Sequence, residues 1–447
     1  MKYDAIIIGF GKGAKTLAGT LGKKGKKVAL IEKSKKMYGG TCINIGCIPS
    51  KTLVLQSEKS PDDKSAKAEH YRKSVQHKKE LIAKLNNKNY GKIANIDTVD
   101  VIDGVASFEG PHNILVKTEN GEELHLESDN LFINTGATTV IPPIKGVEEN
   151  ENVYISETLM DEEELPEKLT IVGGGYIGLE FASMYANYGS EVTVLEYAKE
   201  LIGREDRDIA DEIKTILENK GVKFILGAAV KSIEGDTVIF ERDGKEEKIE
   251  NTKILLATGR KPNTEGLNLE AAGVELGERG LIKVNEKNET TAPGIWAMGD
   301  VSSSLQFTYI SLDDFRVVKS QLLEDGSYTK NDRKNVPYTV FITPNFSRVG
   351  LSEKEALSQG YEIKVGKLAV NTIPKALVMG KPEGLLKVVV DAKTEKILGA
   401  MLICEESQEM INLIKLAMDQ ELSYKVLRDG IYTHPTMTES FNDLFAI

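Results

Sequence analysis

One local pattern occurs twice in this chain, beginning at Gly9 and again at Gly173, and it restricts the fold more than any other feature. In the first copy residues 3–8, ending in the apolar run Ala5–Ile8, read as a buried parallel strand. Gly9-Phe10-Gly11 opens a turn, a helical stretch follows, and a second strand is predicted from Lys27 to Glu32. In the second copy Leu169–Val172 runs into Gly173-Gly174-Gly175, a helix through Tyr188 and a strand from Glu191 to Glu196. In both the acid lies 21 residues beyond the second glycine, Gly11 to Glu32 and Gly175 to Glu196. The first glycine (Gly9, Gly173) permits the tight turn, and the second (Gly11, Gly175) lets backbone approach a pyrophosphate. The small third residue (Ala14, Gly178) allows helix and strand to touch. The helix N-terminus offers N–H groups and the positive end of its dipole to phosphate. The closing acid can accept from ribose hydroxyls, and at Glu196 it favours the 2′-OH of NAD over the 2′-phosphate of NADP, with Lys199 and Arg204 near enough in sequence to soften that preference. An α/β fold with two Rossmann-like dinucleotide-binding domains is therefore expected.

At 447 residues there is room for roughly three domains of about 150 residues. Residues 55–90 read as a long charged helical region broken at Pro61-Asp62-Asp63. Residues 99–141, with turn signals at Gly104, Gly110-Pro111 and Asn120-Gly121, read as antiparallel strands. Acidic Asp161–Glu167 reads as a hinge into the second nucleotide unit, and a helix is predicted from beyond Asp300 to about Gly326. From about Val336 strands and helices continue without a fingerprint.

Acids outnumber Lys and Arg by 68 to 57, a formal charge of −11 that disfavours nucleic acid. The lysines of 23–36 are interrupted by apolar residues and read as solvated surface. No apolar run approaches the roughly 20 residues that span a bilayer, and the run before Gly9 is too short for a signal peptide. Three cysteines in the whole chain argue against a secreted disulfide scaffold and for a cytoplasmic setting. Two of them, Cys42 and Cys47, are close in sequence. Zinc would want four ligands, and Cys404 is isolated, so no metal site is expected and redox activity is the better reading. A helix N-terminus and nearby Lys51 are both expected to lower a thiol pKa. His70 and His77 fall in the charged helical stretch and read as solvated, and His112 and His125 sit by turns without a role.

Gly39-Gly40-Thr41-Cys42, four further residues, then Cys47-Ile48-Pro49-Ser50-Lys51 resembles the signature of the class I pyridine nucleotide–disulfide oxidoreductases. These include dihydrolipoamide dehydrogenase, glutathione reductase and mercuric reductase. Thr135-Gly136-Ala137, Ala257–Thr264, Ala297-Met298-Gly299-Asp300 and His434-Pro435-Thr436 with Glu439 resemble further family motifs, in the family's order and over the whole chain. The resemblance implies FAD held through Gly9, Gly11, Ala14, Glu32, Thr41, Lys51, Ala106, Gly136 and Asp300. It implies NAD held in the second fingerprint (Gly173, Gly175, Tyr176, Gly178, Glu196), with Val230 and Gly259 touching the dinucleotide. Lys51 would sit at the flavin N5 edge paired with Glu180, and Tyr176 resembles the tyrosine that lids the flavin in glutathione reductase. Cys47 would lie beside the flavin and Cys42 would meet substrate, while His434, oriented by Glu439, would come from the partner subunit of a homodimer. The domains implied are FAD-binding (1–150 and 266–335), NAD(P)-binding (151–265) and an α+β dimerisation domain (336–447).

The C-terminal stretch Asn442–Ile447 lacks the cysteine pair of large thioredoxin reductases and mercuric reductase. Cys42–Cys47, Val336–Pro344, Ser347–Gly350, Glu409–Asn412 and His434–Phe445 resemble the bacterial reactive-chlorine-resistance flavoproteins, which act as hypothiocyanous acid reductases. That likeness implies a small-molecule oxidant as substrate. Dihydrolipoamide dehydrogenase, another disulfide reductase of the family, and a flavin redox sensor that does not turn over remain alternatives.

Overall fold

The computed structural model describes residues 1–447. They form two compact units: Met1–Thr52 with Val75–Val140 and Gly259–Arg333, and Leu53–Ser74 with Ile141–Thr258 and Lys334–Ile447. In the first, a five-stranded sheet runs in the order Ile295–Ala297, Leu131–Ile133, Ala5–Ile8, Val28–Glu32, Val99–Asp103. Every neighbouring pair is parallel. Ala5 and Ile7 pack on one face against Leu17, Ala18 and Leu21 of the helix Lys12–Lys23. Ile6 and Ile8 pack on the other with Phe108, Ile114 and Leu126. A strand covered on both faces must be apolar at every position, which is why residues 5–8 show no alternation.

The predicted antiparallel run over 99–141 is only partly antiparallel. Val105–Gly110, Asn113–Lys117 and Glu123–Glu127 form a three-stranded antiparallel sheet. Val99–Asp103 and Leu131–Ile133 instead join the parallel sheet, at its edge and beside Ala5–Ile8. Turn residues mark where strands stop, and say nothing about which sheet they enter. Gly104 is the crossing point, and a Cβ there would lie 2.6 Å from Val116 Cγ1.

In the second unit the parallel sheet runs in the order Lys223–Leu226, Glu191–Glu196, Lys168–Val172, Lys253–Leu256, Val153–Ile155. Its edge strand precedes Asp161–Glu167, so that acidic segment lies within this unit and is no hinge into it. Three apolar residues were too short a signal to reveal the strand. An antiparallel trio, Ala229–Glu234, Thr237–Arg242 and Lys245–Glu250, follows. Beyond residue 336 a five-stranded antiparallel sheet, Tyr338–Val340, Phe346–Gly350, Ile397–Ile403, Leu385–Asp391 and Ile363–Ala369, packs on the helix Ser407–Asp419 and on Phe441, Leu444 and Phe445. This is the expected α/β chain with an α+β C-terminal part.

The charged helical region is two helices, Cys47–Ser57 and Lys64–Ala94, with Pro61 in the break. His70 is not simply solvated: its Nε2 lies 2.8 Å from the Gln56 carbonyl, and its ring sits 6.0 Å from that of Tyr188. No helix is long and apolar enough to cross a membrane.

Candidate active site

At the first fingerprint Gly9 has φ +98°, and a Cβ there would come 2.5 Å from the Asn134 carbonyl oxygen. At Gly11 a Cβ would meet Asn134 Oδ1 at 2.5 Å. Both glycines exist because Asn134 fills the space a side chain would need. Asn134 Oδ1 also accepts from Ala14 N–H (3.2 Å), its Nδ2 donates to the Met298 carbonyl (2.6 Å), and Ser311 Oγ accepts from Gly13 N–H (3.1 Å). The turn is thus tied to the loop carrying Asp300, whose preceding residue Gly299 donates its N–H to Asp314 (2.7 Å). Asn134 and Ser311 escaped the sequence reading. Asn134 directly precedes Thr135-Gly136 at a strand end, which is the one signal that could have found it.

Glu32 accepts from the N–H groups of Phe10 (3.0 Å) and Ser34 (3.2 Å), and burial raises its carboxyl pKa. Burial likewise raises that of Asp300, which Arg260 partly offsets. Ala106 lies buried in the antiparallel sheet, in the same core as Ile8 and Ile31. Gly136, with φ +73°, has only Thr41 Oγ1 near its missing Cβ, at 3.9 Å.

The cysteine segment lies directly on this turn: a Cβ at Gly40 would be 2.7 Å from Gly11 Cα. Thr41–Asn44 makes one helical turn, the helix breaks at Ile45-Gly46, and Cys47–Ser57 starts afresh. On an unbroken helix two residues five apart face about 140° away from each other. The break brings the reduced Cys42 and Cys47 thiols into a hydrogen bond. The Thr308 hydroxyl, at the start of helix Thr308–Leu323, lies 3.8 Å from Cys47 Sγ and also bonds Cys42. Lys51 is one turn beyond Cys47 on the same helix. The expected depression of the thiol pKa is not found at Cys42. The Cys47 hydrogen bond and burial hold it well above the usual thiol range, against Thr308 and Lys15. The expectation considered one thiol at a time, and a neighbouring reduced thiol stabilises the protonated form.

In the second unit Gly173 has φ +111° with the Ala257 carbonyl oxygen 2.5 Å from its would-be Cβ, and Gly178 would clash with the Gly173 carbonyl. A Cβ at Gly175 meets nothing within 4 Å, the open side a pyrophosphate needs. Glu196 accepts from Gly174 N–H (2.7 Å) and Ala198 N–H (2.8 Å). Val230 is the second residue of the strand Ala229–Glu234, two residues after Ala228, whose N–H donates to the Glu196 carbonyl (2.9 Å). Gly259, in the first unit, has φ +100° and open space beside it.

Tyr176 opens the helix Tyr176–Tyr188, and its hydroxyl bonds Glu205 and that of Tyr338 (3.1 Å). Glu205 is in turn held by Arg348 at 2.9 Å, both side chains being buried. Removing one partner of such a pair costs about 3–5 kcal/mol, so the tyrosine hydroxyl is firmly anchored. The Arg204 guanidinium lies over the Tyr176 and Tyr338 rings, 5.7 and 5.3 Å from their centroids. It is turned to aromatic faces, and only Lys199 remains of the two cations expected to soften the choice of dinucleotide. Buried Glu180 accepts from Phe341 N–H at 2.8 Å. His434 Nδ1 is 2.8 Å from Glu439 Oε2, and Glu439 Oε1 accepts from Thr436 N–H (3.0 Å). The imidazole holds the Glu439 carboxyl below its usual pKa. With Nδ1 engaged and the ring 70% exposed, Nε2 is the nitrogen left to serve a ligand. Cys42, Cys47 and Lys51 thus belong to one unit, and Glu180, His434 and Glu439 to the other.

The profile of the pyridine nucleotide-disulphide oxidoreductases matches residues 3–314, and that of the family's dimerisation domain matches 336–445. The chain belongs to this family. As a pyridine nucleotide-disulphide oxidoreductase it is 50% identical to the probable family member RclA of Escherichia coli K12, over 100% of this chain and 99% of that one. It is 36% identical to the dihydrolipoyl dehydrogenase of Thermus scotoductus (98% and 95% covered) and 34% to the mercuric reductase of Staphylococcus aureus (98% and 81%). Among solved structures, the HOCl-induced flavoprotein disulfide reductase RclA from E. coli, as its Cu(II) complex, superposes with a TM-score of 0.95 at 50% identity, covering 100% and 99%.

Membership implies FAD and NAD(P)H, and a dimerisation domain implies a homodimer. The residues fit both cofactors. Glu32 and Asp300 are carboxylates withdrawn from water, which sugar hydroxyl donors would satisfy. The glycine cradles leave backbone open at Gly175 and Gly259. Gly9→Ala tests the first cradle, since its Cβ must be forced into the Asn134 carbonyl at an unfavourable φ. Strain of about 1–3 kcal/mol should weaken FAD binding about 5–150-fold. Flavin absorbance retained after dilution and gel filtration measures it, and full retention would refute the fit.

Proposed function

We propose that this chain is an NADH-dependent flavoprotein that reduces hypothiocyanous acid through a Cys42–Cys47 redox pair. The observation that carries the reading is the broken helix, seated against the first fingerprint turn, in which the two thiols bond to each other and to Thr308. The full-length likeness to an HOCl-induced flavoprotein disulfide reductase supports a chlorine-derived oxidant. Bound FAD would supply a two-electron relay between nicotinamide and the thiols. Gly9, Gly11, Ala14, Glu32, Thr41, Ala106, Gly136 and Asp300 would hold it, with Lys51 at its edge. Gly173, Gly175, Tyr176, Gly178, Glu196, Val230 and Gly259 would hold the nicotinamide dinucleotide.

The Cys42 thiolate attacks the sulfur of hypothiocyanous acid, forming an S–S bond and expelling hydroxide, which His434 of the partner subunit protonates to water. Cys47 then attacks Cys42 Sγ and thiocyanate leaves, so the oxidant gains the two electrons that the thiols lose as they close a disulfide. Glu439 holds the imidazole by Nδ1 and leaves Nε2 for the proton. Glu196 with Arg204 turned aside supports NADH over NADPH, because a 2′-phosphate would meet a carboxylate and no guanidinium. The reading takes the protein as a cytoplasmic homodimer with shared sites, built from an FAD-binding domain (1–150, 266–335), an NAD-binding domain (151–265) and a dimerisation domain (336–447).

The test is a panel of hypothiocyanous acid, oxidised glutathione, mercuric ion, and dihydrolipoamide with NAD, the reductions run with NADH and with NADPH. Hypothiocyanous acid should give the highest kcat/KM. NADH should be favoured by about tenfold, the effect of about 1.4 kcal/mol of charge repulsion. Higher efficiency on dihydrolipoamide would make it a dihydrolipoamide dehydrogenase, and failure to consume NADH with any oxidant would make it a sensor.

A further inference from the structure

Lys15 lies on the first turn of helix Lys12–Lys23, beside the fingerprint. Its Nζ donates to Asn89 Oδ1 (2.6 Å) on the helix Lys64–Ala94 and sits 3.4 Å from the Gly39 carbonyl, three residues before Cys42. The Asn89 amide is fixed in turn by its bond to the Leu85 carbonyl (2.7 Å). Asn89 also packs on Gly39, its Cγ 3.3 Å from where a Cβ would stand. The ammonium is therefore pinned where the fingerprint helix, the cysteine segment and the long helix meet. Lys12 on its own helix and Lys92 on the long helix oppose its charge, and Cys42 favours it. Cys42 feels Cys47 beside it, the Thr308 hydroxyl, and Lys15 as its cation. A half-buried ammonium bonded to two neutral oxygens is poorly compensated until an anion forms nearby.

We propose that Lys15 tunes the Cys42 thiolate: its pinned ammonium stabilises the charged sulfur of the reduced protein and so raises the rate at which Cys42 attacks at neutral pH. Lys15 acts through the sulfur, as a positioning residue. Burial and repulsion from Lys12 bring its own pKa down to about 8, so it carries its proton at neutral pH, where the effect is needed. The inference rests on the reading of Cys42 as the attacking thiol.

Glutamine at this position can keep both hydrogen bonds without the charge, and arginine keeps the charge, so the two separate an electrostatic role from a merely structural one. The FAD-loaded protein is reduced with dithiothreitol, desalted anaerobically and alkylated with iodoacetamide across pH, the modified cysteine being identified by peptide mass. In Lys15→Gln, alkylation of Cys42 should be roughly tenfold slower at neutral pH, where the wild-type ammonium is charged. Gln and wild-type rates should converge well above pH 8, where the wild-type lysine has lost its charge. Lys15→Arg should keep the wild-type rate at neutral pH, and stay above it beyond pH 8, where only arginine is still charged. Asn89→Asp, which sets a carboxylate on the ammonium, should move the profile in the same direction as Gln and keeps the idea testable if Lys15→Gln does not load FAD. A wild-type profile in both Lys15→Gln and Asn89→Asp would overturn the role of Lys15. Alkylation of Cys47 in place of Cys42 in the wild type would instead overturn the reading of Cys42, whatever Lys15 does.

Discussion

Cys47→Ser should consume about one equivalent of hypothiocyanous acid per site and then stop. Cys42 keeps its sulfur and can attack once, but the group that would expel thiocyanate is gone. The product is a Cys42 adduct visible by intact mass, and an external thiol should release it slowly by exchange. Cys42→Ser removes the attacking atom and should lower turnover by about 10³-fold or more. It should still bind FAD, because the fingerprint turn rests on Asn134 and Ser311 and not on the thiol. Cys47 is kept, and a thiolate-to-flavin absorption band is its spectroscopic check. The asymmetry is the diagnostic. Thiols that only pack or bind a metal predict the same outcome for both variants. Wild-type turnover of hypothiocyanous acid by both, with NADH as sole reductant, would refute the disulfide mechanism.

Mixed dimers give the second large effect. His434→Ala should lower turnover by about 10²–10⁴-fold, the loss typical of removing a positioned proton donor. If each site takes Cys42 from one subunit and His434 from the other, neither Cys42→Ser nor His434→Ala homodimers hold a complete site. A hybrid holds one site with both groups intact and one lacking both. Statistical mixing of equal amounts makes about half of the dimers hybrids, so recovery of about a quarter of wild-type activity is expected. The check is steady-state NADH oxidation after subunit exchange has been confirmed by mass or by differential tags. Exchange without recovery would mean that His434 serves its own chain or none.

Much of the site could be read along the chain because its parts are local. A glycine turn, the helix after it and an acid 21 residues on are fixed by the length of one βαβ unit, so Glu32 and Glu196 were identifiable by counting. The His434–Glu439 bond is local too, since five residues span it. Contacts between distant segments were not legible. Gly13 meets Ser311 across 298 residues, and Tyr176 reaches Tyr338 across 162, distances over which no periodicity carries information. Whether Val99–Asp103 would pair parallel or antiparallel depended on the crossover through the long helix and not on its own residues. Charge behaved in the same way. Lys51 was the cation the sequence placed beside the thiols, four residues from Cys47, whereas the charge acting on Cys42 comes from Lys15, 27 residues upstream. By itself the sequence determined which chemistry is present, because short spacings are set by covalent geometry. Only the tertiary structure decided which groups act on one another, because electrostatics and hydrogen bonding depend on distance and burial in space, and those follow from packing.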